Sequence, residues 1–265
     1  MNFTLYKREW KNNWILLLLF AAVLTMYACM IVSMFDPKME DSLSIMSESM
    51  PEIFAAFGMA DVGKTLLEFV TGYLYGMLLI AFPAVYIIIL SNRLVARYVD
   101  NGSMAYILAV PSKRGRIIFT QAVFSISSLL VLLAYVAGVI IACSQFMFYG
   151  EMELAAFLKL NAGLFGLWIM LGGVCFLFSC IFNDTKWSAG LSTAFVVYSL
   201  LVQMVSQVGD KFENLKYITP LTMFQSDAFA AGNSEAWLGC IVMYIIGAVC
   251  YTAGIIVFTK RDLPI

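Results

Sequence analysis

Histidine is absent from this chain, and charged side chains make up only 12% of it. Without histidine the commonest metal ligand and general base is missing, which excludes intramembrane proteases of the Ser–His kind. No glutamate-rich helix offers a metalloprotease the ligands it would need instead. The six cysteines are Cys29, Cys143, Cys175, Cys180, Cys240 and Cys250, and none belongs to a CxxC pair. All lie in or beside apolar runs, where cysteine behaves as a small apolar residue. Free thiols are expected, with no disulfide framework and no metal site. Acids are also missing from the centres of the apolar runs. Glu68 and Lys159 fall near run ends, where a long side chain reaches water. Ion-coupled carriers and pumps usually bury an ionisable group near the midplane. Energy for any transport is therefore expected to enter from elsewhere.

What fills the chain is hydrophobic: 62% of its residues, with a mean hydropathy of +0.88. A soluble fold of this composition would expose too much apolar surface. Six long runs cover residues 14–35, 67–90, 117–146, 158–182, 187–208 and 237–258. A run of about 20 apolar residues crosses a hydrocarbon core about 30 Å thick. The runs are apolar on all sides, whereas barrel strands alternate over about 10 residues. The fold class expected is an all-α polytopic membrane protein with six transmembrane helices in one domain, residues 1–265. The third run is long enough to tilt or project, and Pro83 should kink the second. Ser125, Ser127, Ser128, Gln203 and Gln207 are expected to bond between helices. A GxxxG match at 72–76 and glycines 163, 166, 172, 173, 239, 247 and 254 would let helices approach closely. Packing within one subunit and contact between two subunits are both open from sequence.

The charges orient the chain. With six spans both termini share a side, together with loops 91–116 and 183–186. That side holds eleven of the 16 basic residues and only four acids, Glu9, Asp100, Asp184 and Asp262. The remainder of the chain holds five basic residues and thirteen acids. Lys and Arg mark the cytoplasmic side, so both termini are expected in the cytoplasm. Nothing in this distribution suggests nucleic-acid binding. The first run is too long for a cleaved signal, and no clear small-residue cleavage site follows it. Before it, Phe3, Tyr6, Trp10 and Trp14 recur at helical spacing beside Lys7, Arg8 and Lys11. Residues 1–13 read as an amphipathic interfacial helix or as the start of the first span. Lys7, Arg8, Trp10, Lys11, Lys113, Arg114 and Arg116 are the expected interfacial anchors.

Residues 58–65, GMADVGKT, fit the P-loop pattern. The chemistry also needs a preceding strand and an acid for Mg²⁺, and neither is evident. Residues 36–66 and 209–236 are expected to be extracytoplasmic loops, and the match to be a turn within the first of them.

The loop 91–116 reads SNRLVARYVDNGSMAYILAVPSKRGR. Asp100-Asn101-Gly102 is a turn signal. Ser103 can cap a short helix through Met104, Tyr106, Ile107 and Leu108, which Pro111 would stop. An apolar helix on the cytoplasmic side needs a cover. This segment resembles the permease subunit of type-2 ABC transporters, exporter-like in its architecture. The shared pattern is an acid, Gly-Ser/Thr, a short helix ending in two Leu-like residues, then Pro and basic residues. Lys7-Arg8-Glu9-Trp10-Lys11 is similar to the family's N-terminal interfacial helix. Residues 217–224, YITPLTMF, are similar to its stretch of short re-entrant helices between spans five and six. About 20 residues carry the resemblance as motif.

The resemblance implies a non-catalytic transmembrane subunit. It would pair with two cytoplasmic ABC ATPases and with a second permease copy or homologue in a bacterial cell membrane. It implies no cofactor in this chain, with ATP and Mg held by the ATPases, and it implies export of a lipophilic or amphipathic cargo. Asp100, Gly102, Ser103, Tyr106, Ile107 and Leu108 would form the ATPase-coupling helix. A stand-alone channel or secondary carrier, or a non-transporting scaffold, is the alternative. Neither a polar pore stripe nor an inverted repeat is evident to favour it.

Overall fold

The structure, a computed structural model, describes residues 1–35, 56, 65–104, 114–207, 219–230 and 235–261. Among these residues there are helices and no strand. Six helices are long and apolar enough to cross a membrane: α1 (Phe3–Met34), α2 (Leu66–Asp100), α3 (Arg114–Met147), α4 (Leu154–Ile181), α5 (Thr185–Ser206) and α7 (Glu235–Lys260). Between α5 and α7 lie a 3₁₀ turn, Pro220–Met223, and the short α6, Ser226–Ala230. Leu221, Phe224 and Phe229 bury their side chains, so this segment folds back into the bundle.

At one boundary the structure takes one of the two alternatives read from sequence, and at another it differs. Residues 1–13 are not set apart from the first span, because α1 runs unbroken from Phe3 to Met34. No Gly or Pro interrupts that stretch. Asn13, a weak helix former, is held by its own side chain, whose Nδ2 donates to the Glu9 carbonyl at 3.1 Å. Tyr6 and Trp10 pack edge-on against Phe124 of α3, at 5.9 and 5.3 Å between ring centres. The second helix likewise does not stop at residue 90. It continues to Asp100, and Ser91, Leu94, Val95 and Ala96 are fully buried. The first breaker past residue 90 is Gly102, at φ +66°, a conformation glycine adopts without steric cost.

The core is built around α4 and α2, whose most apolar 18-residue stretches are 72% and 61% buried. The most extensive helix pair is α4 with α7. Lipid chains are as apolar as leucine, so close van der Waals contact must hold helices together. The glycines expected from sequence supply that contact within this one chain. A Cβ on Gly173 would come within 2.7 Å of the Gly247 carbonyl oxygen. One on Gly247 would come within 2.8 Å of the Ile169 carbonyl oxygen. Tyr251 fills the space over Gly172, and its hydroxyl lies 3.0 Å from Ser125 Oγ of α3.

Helix α2 departs most from regularity. It contains π-helical turns at Thr71–Leu78 and Asn92–Ala96, with Pro83 between them. Proline lacks an N–H and so frees the carbonyl four residues earlier, here that of Leu79. Trp168 of α4, fully buried, donates its indole N–H to that carbonyl at 2.9 Å. One irregularity thus becomes an interhelical bond in a medium with no water to substitute for it.

Three substitutions test this packing, each read as a thermal unfolding midpoint in mild detergent. Gly173→Val should cost about 1–3 kcal/mol through overpacking. Gly138→Ala, where a Cβ meets nothing within 4 Å, should be neutral or slightly stabilising. Trp168→Phe should cost about 1–3 kcal/mol by leaving the Leu79 carbonyl unpaired. An unchanged midpoint would show that the bond carries no net stability.

Candidate functional site

At the end of the bundle that carries the N-terminus, α1, α2 and α3 meet on one carboxylate. The buried residues of α1 include Leu5, Glu9, Asn13, Leu16, Phe20, Leu24 and Ala28. Their spacing of three and four is the helical repeat that places residues on one face. Glu9 is only 1% exposed. Its Oε1 accepts from Tyr98 Oη of α2 at 2.9 Å and from Gln121 Nε2 of α3 at 3.1 Å. Its Oε2 accepts from Asn13 Nδ2 at 3.1 Å. A carboxylate withdrawn from water is tolerated when its lone pairs are matched in this way. Sequence alone counted Glu9 as a cytoplasmic acid within the N-terminal segment and gave it no partner. The available signal was that residues 9 and 13 continue the stripe of Leu16, Phe20 and Leu24.

Beside this knot begins the expected coupling loop. Asn101 N–H donates to the Arg97 carbonyl and Gly102 N–H to the Val99 carbonyl, closing α2. Asp100 Oδ2 accepts from Thr185 Oγ1 at 2.8 Å. That bond ties the C-terminal end of α2 to the first residue of α5. Ser103 begins a new helical turn, and its hydroxyl lies 3.5 Å from the Tyr98 carbonyl. Met104 is buried rather than presented outward. Tyr106, Ile107, Leu108 and Lys113 lie outside the described residues. Of the other anchors, Lys7, Arg8, Lys11, Arg114 and Arg116 are exposed, and Trp10 is half-buried on Phe124. Arg261, after α7, donates from Nη1 to the Cys180 carbonyl at 2.6 Å. A cation is favourable at this helix end, where the dipole is negative.

At the other end, a second polar region lies between α2, α5 and the re-entrant segment. It is a cavity of about 220 Å³ lined by Tyr75, Gly76 and Ile80, by Gln203, Ser206 and Gln207, and by residues of 222–226. Tyr75 and Gly76 belong to the first π-helical stretch, a distortion frequent at functional sites. The Tyr75 hydroxyl donates to Asn161 Oδ1 of α4 at 3.0 Å. The Gln203 side-chain oxygen is buried without a partner among the described residues. Sequence reading took Gln203 as an interhelical bonder. Ser125 does lie in hydrogen-bond contact with α7, and Ser127 Oγ accepts from Tyr6 Oη at 3.0 Å. Gln203 instead faces a cavity.

The P-loop match resolves at the one residue of it that is described. Thr65 caps α2: its Oγ1 accepts from Glu68 N–H at 3.2 Å, and its own N–H donates to Glu68 Oε2 at 3.3 Å. This reciprocal pair is a capping box, so the threonine hydroxyl is engaged in starting a helix.

The sequence profile described as ABC-2 family transporter protein matches residues 5–263. No curated protein matches the chain. The match covers nearly every residue, and the six apolar helices agree with it. The chain belongs to the ABC-2 transporter family and is a multi-pass membrane permease subunit of that family.

The Glu9 knot yields a graded expectation. Glu9→Leu leaves three donors unmatched, each worth about 1–3 kcal/mol when buried, and should lower the unfolding midpoint strongly. Glu9→Gln, which keeps an acceptor for Tyr98 and Gln121, should lower it less. Equal effects would mean that packing rather than hydrogen bonding sets the cost.

Proposed function

We propose that the chain is the membrane half of an ATP-driven exporter in a bacterial cell membrane, with both termini in the cytoplasm. The complex holds two ABC ATPase subunits, the segment from Asp100 to Leu108 sits in a groove on an ATPase, and a second permease copy or homologue completes the pathway. ATP and Mg belong to the ATPases, and this chain performs no chemistry. The cargo is lipophilic or amphipathic: an antimicrobial peptide, a drug or a lipid-like molecule. Cargo contacts the cavity formed by Tyr75, Gln203 and the re-entrant segment.

The observation that carries this reading is the span of α2. One helix joins that cavity to the segment at Asp100, where the coupling loop begins. A rigid-body shift imposed on the loop is then conveyed along α2 to the cavity. The bond from Thr185 to Asp100 passes the same shift to α5, which lines the cavity from its other side. The scarcity of ionisable groups in the spans supports an external energy source. The Lys and Arg distribution supports the orientation.

The test is a mild-detergent pull-down of the tagged chain from its native cells. A P-loop ATPase should copurify in stoichiometric amount. Leu108→Asp or Ile107→Asp should abolish that pairing while the unfolding midpoint of the permease stays unchanged. Pairing that survives both substitutions would remove the coupling assignment.

A further inference from the structure

The inner ends of α1 and α2 enclose an open cleft of about 330 Å³ whose walls include Arg8, Arg93 and Arg97. None of the three guanidinium groups forms an ion pair with an acid among the described residues. Asn12 and Asn101 add amide groups to the same walls. One carboxylate, that of Glu9, also borders the cleft. It is buried, and its oxygens already accept from Tyr98, Gln121 and Asn13. Its field reaches Arg8 and offsets only one of three positive charges. Arg93 and Arg97, four residues apart, share a helix face, and Arg8 reaches the same space from the neighbouring helix.

Depth decides which anion fits. Asn12 lies two residues before the apolar run that starts at Trp14, and Arg93 three residues after the run that ends at Leu90. At about 1.5 Å per residue, the cleft starts about 3–5 Å beyond the hydrocarbon edge at Asn12 and Arg93, and the backbones of Arg8 and Arg97 lie about 9–11 Å beyond it, from where a long side chain reaches back toward that level. That is the level of lipid phosphates, and basic clefts between helices there take anionic headgroups. Guanidinium groups bind phosphate oxygens in pairs, with a geometry an ammonium does not offer.

We propose that this cleft is a binding site for a phosphate group, supplied by the headgroup of an anionic phospholipid. Arg8, Arg93 and Arg97 hold the phosphate, and the bound lipid links α1 to α2 beside the Glu9 knot. The site does not depend on the ATPase assignment and is tested without an ATPase.

The purified full chain in mild detergent is titrated with phosphatidylglycerol, phosphatidylcholine or inorganic phosphate while its unfolding midpoint is followed. Phosphatidylglycerol should raise the midpoint saturably, and the other two should not. The double variant Arg93→Gln/Arg97→Gln should weaken the apparent affinity for phosphatidylglycerol by about tenfold or more, the scale of one lost charged hydrogen bond. Arg97 is exposed, so Arg97→Gln alone gives a second reading of about tenfold should the double variant not fold. Lys159→Gln, exposed near the opposite end of the bundle, should leave the affinity unchanged. An equal response to phosphatidylcholine, or an undiminished response in Arg97→Gln, overturns the site. A response to inorganic phosphate matching that to phosphatidylglycerol overturns the lipid as its source and leaves a free-anion site.

Discussion

Hydrocarbon offers a polar atom nothing to bond to, and this constraint shapes most of what is particular to the fold. An unmatched amide or hydroxyl there costs several kcal/mol, so each polar group carried into the bundle must find protein. Trp168 meets the carbonyl that Pro83 frees, Tyr75 meets Asn161, and Ser125 meets Tyr251. Each bond joins two different helices and helps fix how they sit together. The same rule makes the exceptions informative. The Gln203 side-chain oxygen is one of eight buried side-chain atoms left without a partner among the described residues, and it stands beside a cavity. In a protein that moves cargo, an acceptor held ready next to open space has a use that a fully bonded one lacks.

The second consequence concerns what can hold apolar helices together when burial from water no longer does. Between α4 and α7 the answer is proximity: glycines bring backbone against backbone at the Gly173–Gly247 contact. Dispersion is small per atom pair and large in sum, and it falls quickly with separation. A single methyl group on the wrong side of this seam therefore acts on the whole interface. Helix α4, pressed by α7 on one face and by α2 on another, becomes the fixed body of the bundle. Helices α1, α5 and α7 keep wide apolar faces outward, where Leu18, Leu19, Leu201 and Ile245 are exposed.

Much of this was legible in the residues. Run length fixed the six spans, the glycine positions marked the close contacts, and Gly102 ended a helix where a turn was expected. The segment 220–230 turned inward, as the resemblance to type-2 ABC permeases implied for residues 217–224. What was not legible follows from tertiary context. A charge at position 9 looks solvated until a tyrosine and a glutamine from two other helices are brought to it. The apolar count that ended span two at residue 90 is blind to a helix that continues past the hydrocarbon edge against other protein. The choice between intrasubunit and intersubunit glycine contacts requires knowing which helices are neighbours, and sequence spacing carries no such information. The π-helical turns of α2 have no signature in a hydropathy pattern.

Length explains where the polar features collect. At 1.5 Å per residue, a helix needs about 20 residues to cross the core. Helices α4, α5 and α7, with 28, 22 and 26 residues, exceed that modestly. Helices α1, α2 and α3, with 32, 35 and 34 residues, reach about 50 Å. Their surplus cannot all lie in lipid. The polar residues show which end projects: Glu9 and Asn13 on α1, Arg93 and Arg97 on α2, Arg114, Arg116 and Gln121 on α3. The three longest helices thus share one extension past the membrane, held by a buried carboxylate. The expected coupling loop, which joins α2 to α3, springs from that extension. A loop rooted in a braced three-helix stem can pass a push into the bundle, whereas one hung between frayed ends would absorb it.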